Sequence, residues 1–218
     1  MPSEYTTSTA RRSRKSRATS SSRKRQRQRE EEECPFCAIA RQHPGKTPIA
    51  PYTTPSTPTP TRTPNTAHMI LSTPQVIGFL DIMPLSAGHV LLTPRHHAEK
   101  IMDLTPEEGA SLGAWLPIVT RAVSRAMQVD DLNVVQNNGA RASQVVKHVH
   151  YHIIPRPESY TPSKAWTMFG KGPRTDLDDD EAALIAARIR QEIAWEMERM
   201  GNSQDSPIVR TNFLAPKL

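Results

Sequence analysis

Three histidines alternate with apolar residues in the segment KHVHYHIIP, which covers residues 147–155, and this spacing strongly limits the local structure. Side chains at every second position of a β-strand point to the same face of the sheet. The spacing therefore predicts a strand over residues 145–154 that presents three imidazoles on one face, those of His148, His150 and His152. Val149 and Ile153 would point to the other face and pack on a core.

The positive charge of the chain is concentrated in its first residues. Residues 1–29 hold ten of the 28 Lys and Arg residues and one of the 22 acidic residues, a net charge of +9, which leaves −3 of the total +6 for the rest. A segment so poor in apolar residues cannot bury a core, and we expect residues 1–33 to be a disordered basic tail. It could be a plain solvated tail, a nuclear address or a signal for organellar targeting. Nucleic acid is disfavoured as a partner of the domain, and the tail is the only segment suited to it.

A second low-complexity segment interrupts the chain at residues 47–66, where fourteen of twenty residues are Thr or Pro. This composition favours an extended, unpacked chain. We therefore expect one domain over residues 34–200 with a Thr/Pro-rich insertion, followed by a C-terminal tail at residues 201–218. No run approaches the roughly 18 apolar residues of a membrane span, so the sequence predicts no membrane partner.

Short apolar runs and an amphipathic segment predict an α+β fold. The expected strands cover residues 68–71, 76–81, 89–93, 132–136 and 145–154, and the two main helices cover residues 106–127 and 178–200. Thr105, Pro106 and Glu108 mark the start of the first helix, because they supply an N-cap, a favourable first residue and a capping box. Pro117 lies inside this helix and is expected to kink it or to remove a hydrogen bond.

Three interpretations fit the row of imidazoles, one structural and two catalytic. The histidines could face solvent from an ordinary core strand, although three in five residues is dense for that. They could bind a catalytic metal, but hydrolytic zinc sites usually need a carboxylate base, and no Asp or Glu lies in the row or in the loop before it. One imidazole could instead attack phosphorus while its neighbours orient it and move protons. The residues alone leave these interpretations open.

The two cysteines of the chain, Cys34 and Cys37, form a C-x-x-C pair. In a chain without a recognisable secretory signal, such a pair indicates a metal site or a redox pair before a structural disulfide. No thioredoxin-like pattern surrounds the pair, which disfavours the redox function.

The histidine segment and its surroundings resemble the histidine triad family of nucleotide hydrolases and transferases. The run HVHYHII matches the family signature, and the flanking positions match at Gln144, Pro155 and Arg156. The similarity also covers FLDI at residues 79–82, GHVLLTP at residues 88–94 and NNG at residues 137–139. The resemblance implies an α+β domain with a five-stranded antiparallel sheet and two main helices.

The resemblance implies catalytic roles for three histidines. His150, the middle histidine, corresponds to the nucleophile that forms a nucleotidyl-histidine intermediate, from which water releases a nucleoside monophosphate. His152 corresponds to the third triad histidine, close to the phosphate and the leaving group. His89 corresponds to an upstream histidine in the same hydrogen-bond network. No catalytic metal is expected.

The resemblance also implies a nucleotide-binding set, which consists of Asp81, Ile82, Asn137, Gln144, Val145 and Val146. The Asp81 carboxylate would accept both ribose hydroxyls, whereas the polar groups and backbone amides of the later residues would lie near the phosphate. Taken alone, Asp81 would be a turn residue and His89 a core histidine. The family usually has Ser or Thr where this chain has Val145, so the hydroxyl is absent and the backbone N–H remains.

Many members of the family hold a structural zinc with an N-terminal C-x-x-C pair and two histidines. The resemblance therefore implies a Zn²⁺ site formed by Cys34, Cys37, His97 and His148. His96 is the neighbouring alternative to His97. Two thiolates with two imidazoles are a common zinc-binding set.

Within the family, the chain resembles the Hint branch, which hydrolyses nucleoside phosphoramidates. Asp81 and Asn137 are typical of that branch, whereas the branch that cleaves diadenosine polyphosphates carries Asn and Gln at these positions. The resemblance thus implies an adenosine 5′-monophosphoramidase-like hydrolase acting on a purine nucleotide. The alternatives are a diadenosine polyphosphate hydrolase and a catalytically weak nucleotide-binding adaptor.

Members of the family commonly pair across the long helix, and the resemblance implies a homodimer here as well. The expected location is the cytoplasm, the nucleus or both, with mitochondria as the alternative that the basic tail suggests.

Overall fold

The computed structural model describes residues 20–45, 67–159 and 177–201 of the chain. In chain order, the elements are α1 (Ser20–Glu33), α2 (Pro35–Gln42), β1 (Met69–Ser72), β2 (Val76–Leu80), β3 (Val90–Pro94), α3 (Pro106–Met127), β4 (Leu132–Gln136), β5 (Tyr151–Pro155) and α4 (Asp179–Gly201). None of the helices in the described ranges has both the length and the apolar character that crossing a membrane requires.

The five strands form one antiparallel sheet in the order β1-β2-β3-β5-β4. The last strand in sequence, β5, lies between β3 and β4 and pairs with both. This arrangement confirms the predicted α+β fold. The first three strands and α4 begin and end within one residue of the prediction, and β4 and α3 match it at both ends.

The sheet packs against a different core on each face. On one face, α3 lies over β3 and β5 while α4 lies over β1 and β2, and together they cover a large apolar core. On the other face, the short α2 packs against alternate residues of β2 and β3. This second core consists of Cys34, Phe36, Cys37, Ala40, Met69, Ile77, Phe79 and Leu91. Because the cysteines lie at the start of α2, the second core brings them against the sheet.

The start of α3 has the predicted capping box. The Glu108 N–H donates to Thr105 Oγ1 over 3.2 Å, and the Thr105 N–H donates to Glu108 Oε2 over 2.8 Å. Pro117 lies within a continuous helix rather than at a break. Both Pro117 and Gly113, whose carbonyl loses its helical donor there, are exposed, so water can solvate the freed carbonyl.

The predicted strand over residues 145–154 is wrong in its first half, because only Tyr151–Pro155 is a strand. Ahead of it, the Val149 N–H donates to the Ala98 carbonyl, and Thr93 Oγ1 donates to the Val149 carbonyl. The loop at Ala98 and the Thr93 side chain therefore make the backbone hydrogen bonds that a neighbouring strand would otherwise make. The alternation nevertheless persists, because Val149 and Ile153 are in the large core, on the other face from Phe36, which contacts His148 and His150.

The prediction of disorder for residues 1–33 is wrong for its second part, since residues 20–33 form α1. Arg, Lys, Gln and Glu are good helix formers because their unbranched side chains lose little rotamer freedom. Side-chain hydrogen bonds at i, i+4 spacing join Gln26 to Glu30 and Gln28 to Glu32. Residues 1–19, the Thr/Pro-rich segment at residues 47–66 and residues 202–218 lie outside the described residues.

Candidate active site and metal centre

His150 lies at the centre of the candidate active site, one residue ahead of β5, and only 5% of its surface is exposed. Its Nδ1 lies 2.6 Å from the carbonyl oxygen of His148. Because a carbonyl can only accept, Nδ1 carries the proton and donates it, and Nε2 of the neutral ring keeps its lone pair. Burial lowers the pKa of His150 below its usual value, which favours the neutral ring at neutral pH.

His152 and His89 extend the hydrogen-bond network. The ring centroids of His150 and His152 are 4.8 Å apart, and His152 Nδ1 lies 3.0 Å from His89 Nε2. The backbone N–H of Leu85 donates to His89 Nδ1 over 3.2 Å. In a neutral His89 ring, Nε2 is then the donor to His152 Nδ1, and the proton of His152 lies on Nε2. The three predicted catalytic histidines are therefore neighbours, and their hydrogen-bond partners select the tautomer of each neutral ring.

Asp81 follows β2 directly and is also a neighbour of His89. Its backbone N–H donates to the His89 carbonyl over 2.9 Å, and its Oδ1 accepts the Met83 N–H over 2.9 Å. Its Oδ2 lies 3.5 Å from His89 Nδ1, farther than the Leu85 N–H that points at the same atom. We therefore assign Leu85 as the donor to that atom. Asp81 is buried. Its contact with Met83 makes it a turn residue, and its contact with His89 makes it part of the histidine group.

The loop between β4 and β5 carries the later residues of the predicted nucleotide-binding set. Gln144 is buried, and its Oε1 accepts the Gly139 N–H over 2.6 Å while its Nε2 donates to the Glu99 carbonyl over 2.7 Å. Its amide thus holds the loop together, a role that the sequence did not predict. The other residues of the set are half-buried or exposed: Asn137, Val146, Ile82 and Val145, of which the last is 91% exposed.

A second group of side chains lies between α2 and the sheet. Four buried ligand atoms of four residues lie within 4.8 Å of one another, those of Cys34, Cys37, His97 and His148. His148 Nδ1 is 3.4 Å from Cys34 Sγ and 3.5 Å from Cys37 Sγ, and His97 Nδ1 is 3.4 Å from Cys37 Sγ. The structure therefore brings together the four predicted metal ligands.

The chemistry of this group fits a metal ion. His148 Nε2 donates to the Pro94 carbonyl over 2.9 Å, so its Nδ1 directs a lone pair at the two sulfurs. Both cysteines are free thiols. The hydrogen bond with Cys37 lowers the pKa of Cys34 to about 3 against the opposing effect of burial, and the same contact raises the pKa of Cys37. One sulfur is thus readily ionised, as metal binding requires.

The structure distinguishes His97 from its neighbour. His96 has a side chain that is 53% exposed, and its Nδ1 lies 2.9 Å from Glu108 Oε1. His97 is 5% exposed and faces Cys37. The position of His97 supports it as the ligand, as predicted.

Two residues that the sequence did not single out support the site. Phe36 lies between the cysteines and contacts the rings of His148 and His150. Arg95 donates to the carbonyls of Ala40 and His43, over 2.7 and 2.6 Å, and holds the end of α2 on the sheet. The one local signal for Phe36 was an aromatic side chain between the two cysteines, whereas nothing in the sequence marked Arg95 for this contact.

Comparisons with known proteins agree with this geometry. A family model described as HIT domain matches residues 62–159. The chain is 43% identical over 98 residues to adenosine 5′-monophosphoramidase hnt1 of Schizosaccharomyces pombe, which is 44% of this chain and 71% of that protein. It is 32% identical over 114 residues to adenylylsulfatase HINT3 of Arabidopsis thaliana, 52% of this chain and 56% of that protein.

A solved structure described as a Zn-bound histidine triad family protein from Mycobacterium smegmatis has a TM-score of 0.56 with this chain at 25% identity. The match covers 78% of this chain and 99% of that one. Fold, histidine arrangement and sequence identity therefore agree, and the chain belongs to the HIT domain family, within its Hint-like branch.

Proposed function

We propose that this protein is a nucleotide hydrolase that cleaves purine nucleoside phosphoramidates at the α-phosphate through a nucleotidyl-His150 intermediate. The observation that carries the proposal is the hydrogen bond from His150 Nδ1 to the His148 carbonyl, which leaves Nε2 as a nucleophile. The 43% identity to an adenosine 5′-monophosphoramidase supports the substrate class.

In the first step, the His150 Nε2 lone pair forms a bond to the α-phosphorus as the bond from phosphorus to the leaving amine breaks. The amine departs with that electron pair and takes up a proton. Because His150 is buried and its pKa is lowered, the neutral, nucleophilic ring predominates at neutral pH. The Nδ1 hydrogen bond also stabilises the positive charge that develops on the ring.

His152 would serve the leaving group and the phosphate. With its Nδ1 engaged by His89, its Nε2–H can donate to a phosphate oxygen or to the departing amine. In the second step, water attacks phosphorus, and the bond to His150 breaks so that its electron pair returns to Nε2. The nucleoside monophosphate leaves with the water oxygen, and the proton that the water loses passes to His152 Nε2, which replaces the proton given to the amine.

Asp81 and the loop before β5 would hold the nucleotide. A carboxylate has two oxygens with about four lone-pair sites, which suits Asp81 to accept hydrogen bonds from two ribose hydroxyls. Ile82 lies beside it with 64% of its surface exposed, available to a base or ribose. We assign Asn137 and the backbone amides of Val145 and Val146 to the phosphate. Gln144 would act on the phosphate through the shape of its loop.

The second cluster would hold a structural zinc with Cys34, Cys37, His97 and His148. Zinc would fasten the first turn of α2 to the sheet, and no step of the reaction passes through it. The homodimer and the cytoplasmic or nuclear location remain predictions.

The deciding experiment compares purified protein on a fluorogenic adenosine phosphoramidate, diadenosine triphosphate and adenosine 5′-phosphosulfate. We expect the phosphoramidate to have the highest kcat/KM, and His150→Ala to abolish its turnover. Rapid quenching followed by mass spectrometry should detect an adenylyl group on His150. Faster cleavage of the dinucleotide or of the phosphosulfate would contradict the substrate class, and turnover that survives in His150→Ala would contradict the mechanism.

A further inference from the structure

Phe36 occupies a position between the two groups of the site. It lies in the first turn of α2, between the two cysteines, and is 6% exposed. Its ring centroid is 5.2 Å from that of His150 at an interplanar angle of 84°, and 5.8 Å from that of His148 at 61°. It also contacts Phe79 at 5.3 Å and 66°. One side chain from the metal-binding turn thus touches the ring of the proposed nucleophile.

The hydrogen bond to the His148 carbonyl does not by itself orient the His150 ring. It fixes the direction of Nδ1, while the ring can still tilt about that direction. Two nearly perpendicular neighbours limit the tilt, Phe36 at 84° and His152 at 70°. Of these, Phe36 is an apolar ring without hydrogen-bonding groups, so it also keeps water from the imidazole.

We propose that Phe36 is a positioning residue, which holds the His150 imidazole in its attacking orientation and keeps it dry. This inference rests on the proposed function, in which His150 is the nucleophile. It gives the metal-binding turn a second task, because the same turn that carries the sulfur ligands also sets the geometry of the nucleophile. Phe36 exchanges no proton and forms no bond with the substrate.

The test is Phe36→Leu, which keeps an apolar side chain but removes the ring. We expect kcat on the adenosine phosphoramidate to fall about tenfold, with KM nearly unchanged, because a small misplacement of a reacting group is costly. Single-turnover cleavage should fall by the same factor, because the defect lies in the step in which His150 attacks phosphorus.

Nitrogen NMR of the imidazole provides a readout that does not depend on turnover. At one fixed pH, spectra of labelled protein should show the proton less firmly held on Nδ1 of His150 in Phe36→Leu. If the wild type hydrolyses no nucleotide, the proposed function fails while these spectra still decide whether Phe36 orients the ring. Phe36→Met, which fills more of the same space, serves if the leucine variant does not fold, and should change the Nδ1 signal in the same direction.

Phe79→Leu is the matched control. It removes a ring of equal size from the same core, and among the described contacts this ring touches Phe36 and neither histidine. It should leave the Nδ1 signal of His150 and the single-turnover rate unchanged. Zinc content should be that of the wild type in both variants.

Three outcomes would overturn the inference. The first is a raised KM with unchanged His150 spectra, which would make Phe36 a substrate contact. The second is a loss of zinc in Phe36→Leu that accounts for the loss of kcat. The third is an equal change of the His150 Nδ1 signal in Phe79→Leu.

Discussion

His148 and His150 lie two residues apart, yet each ring is held by the opposite nitrogen. His148 is anchored through Nε2 to the Pro94 carbonyl and directs Nδ1 at the cysteines. His150 is anchored through Nδ1 to the His148 carbonyl and keeps the lone pair of Nε2. The residue type is the same in both places, and the position of one carbonyl oxygen decides which nitrogen is available. The comparison shows that backbone acceptors decide which nitrogen each histidine presents, Nδ1 toward the cysteines at one position and Nε2 for the proposed reaction at the other.

The largest expected effect is on turnover at the proposed active site, and it should leave the metal-binding cluster unchanged. His150→Ala removes the nucleophile, so single-turnover cleavage of the adenosine phosphoramidate should fall by at least about 10³-fold. Zinc content should remain that of the wild type, because no metal ligand changes. Cleavage within about tenfold of the wild type would remove His150 from the nucleophile position.

The corresponding substitution at His148 should lower the stability of the folded protein. His148→Ala removes a metal ligand while its backbone carbonyl still accepts from His150, so zinc should be lost and the free energy of unfolding should fall by roughly 3–5 kcal/mol. Cys34→Ser should have a similar effect, and the exposed Lys147→Ala should have none. Metal analysis and chemical denaturation measure both quantities. Full zinc content in His148→Ala would place the ligand elsewhere.

A smaller effect is expected for the residue behind His152. His89→Phe keeps a ring of similar size but removes the donor to His152 Nδ1, so kcat should fall by about 10- to 100-fold. His96→Phe is the control, since His96 is half exposed and pairs with Glu108 outside both groups. Equal activity of His89→Phe and the wild type would show that His152 needs no orienting partner.

The smallest effect concerns pH. Burial lowers the pKa of His150 in the folded protein below the usual histidine value of about 6.5, so the unfolded chain binds more protons just below that pH. The free energy of unfolding should therefore fall as pH decreases below about 6.5, and this component should disappear in His150→Ala. Urea denaturation across this pH range measures it. A difference between the two proteins that is independent of pH would contradict the lowered pKa.

Regular elements were predictable because their signals are local. The capping box at Thr105 and the apolar spacing after it located α3, and an apolar run located β4. The four metal ligands depended on the family resemblance, since the choice between His96 and His97 cannot be made from two adjacent identical residues. Only the surroundings of the side chains distinguish them, because Glu108 lies beside His96 and Cys37 lies beside His97.

The remaining features depend on tertiary contacts. The first half of the histidine segment has strand-like alternation, but its acceptor is the carbonyl of Ala98 in a loop rather than a strand. The side chain of Gln144 bonds the backbone of Gly139 and Glu99, residues five and forty-five positions away. No local pattern reports such contacts. Composition also misjudged α1, because polar residues that cannot form a core can still form a helix.

The hydrogen bonds that Arg95 donates determine how α2 is attached to the sheet. One guanidinium binds the carbonyls of Ala40 and His43 at the end of the helix, and also Ser72 and Thr73 at the end of β1. The helix is therefore held at both ends, by the contacts of Cys34 and Cys37 with the two histidines at its start and by an arginine at its end. If the cluster holds a metal, its release would leave the arginine end attached, so any opening of α2 would begin at the cysteine end.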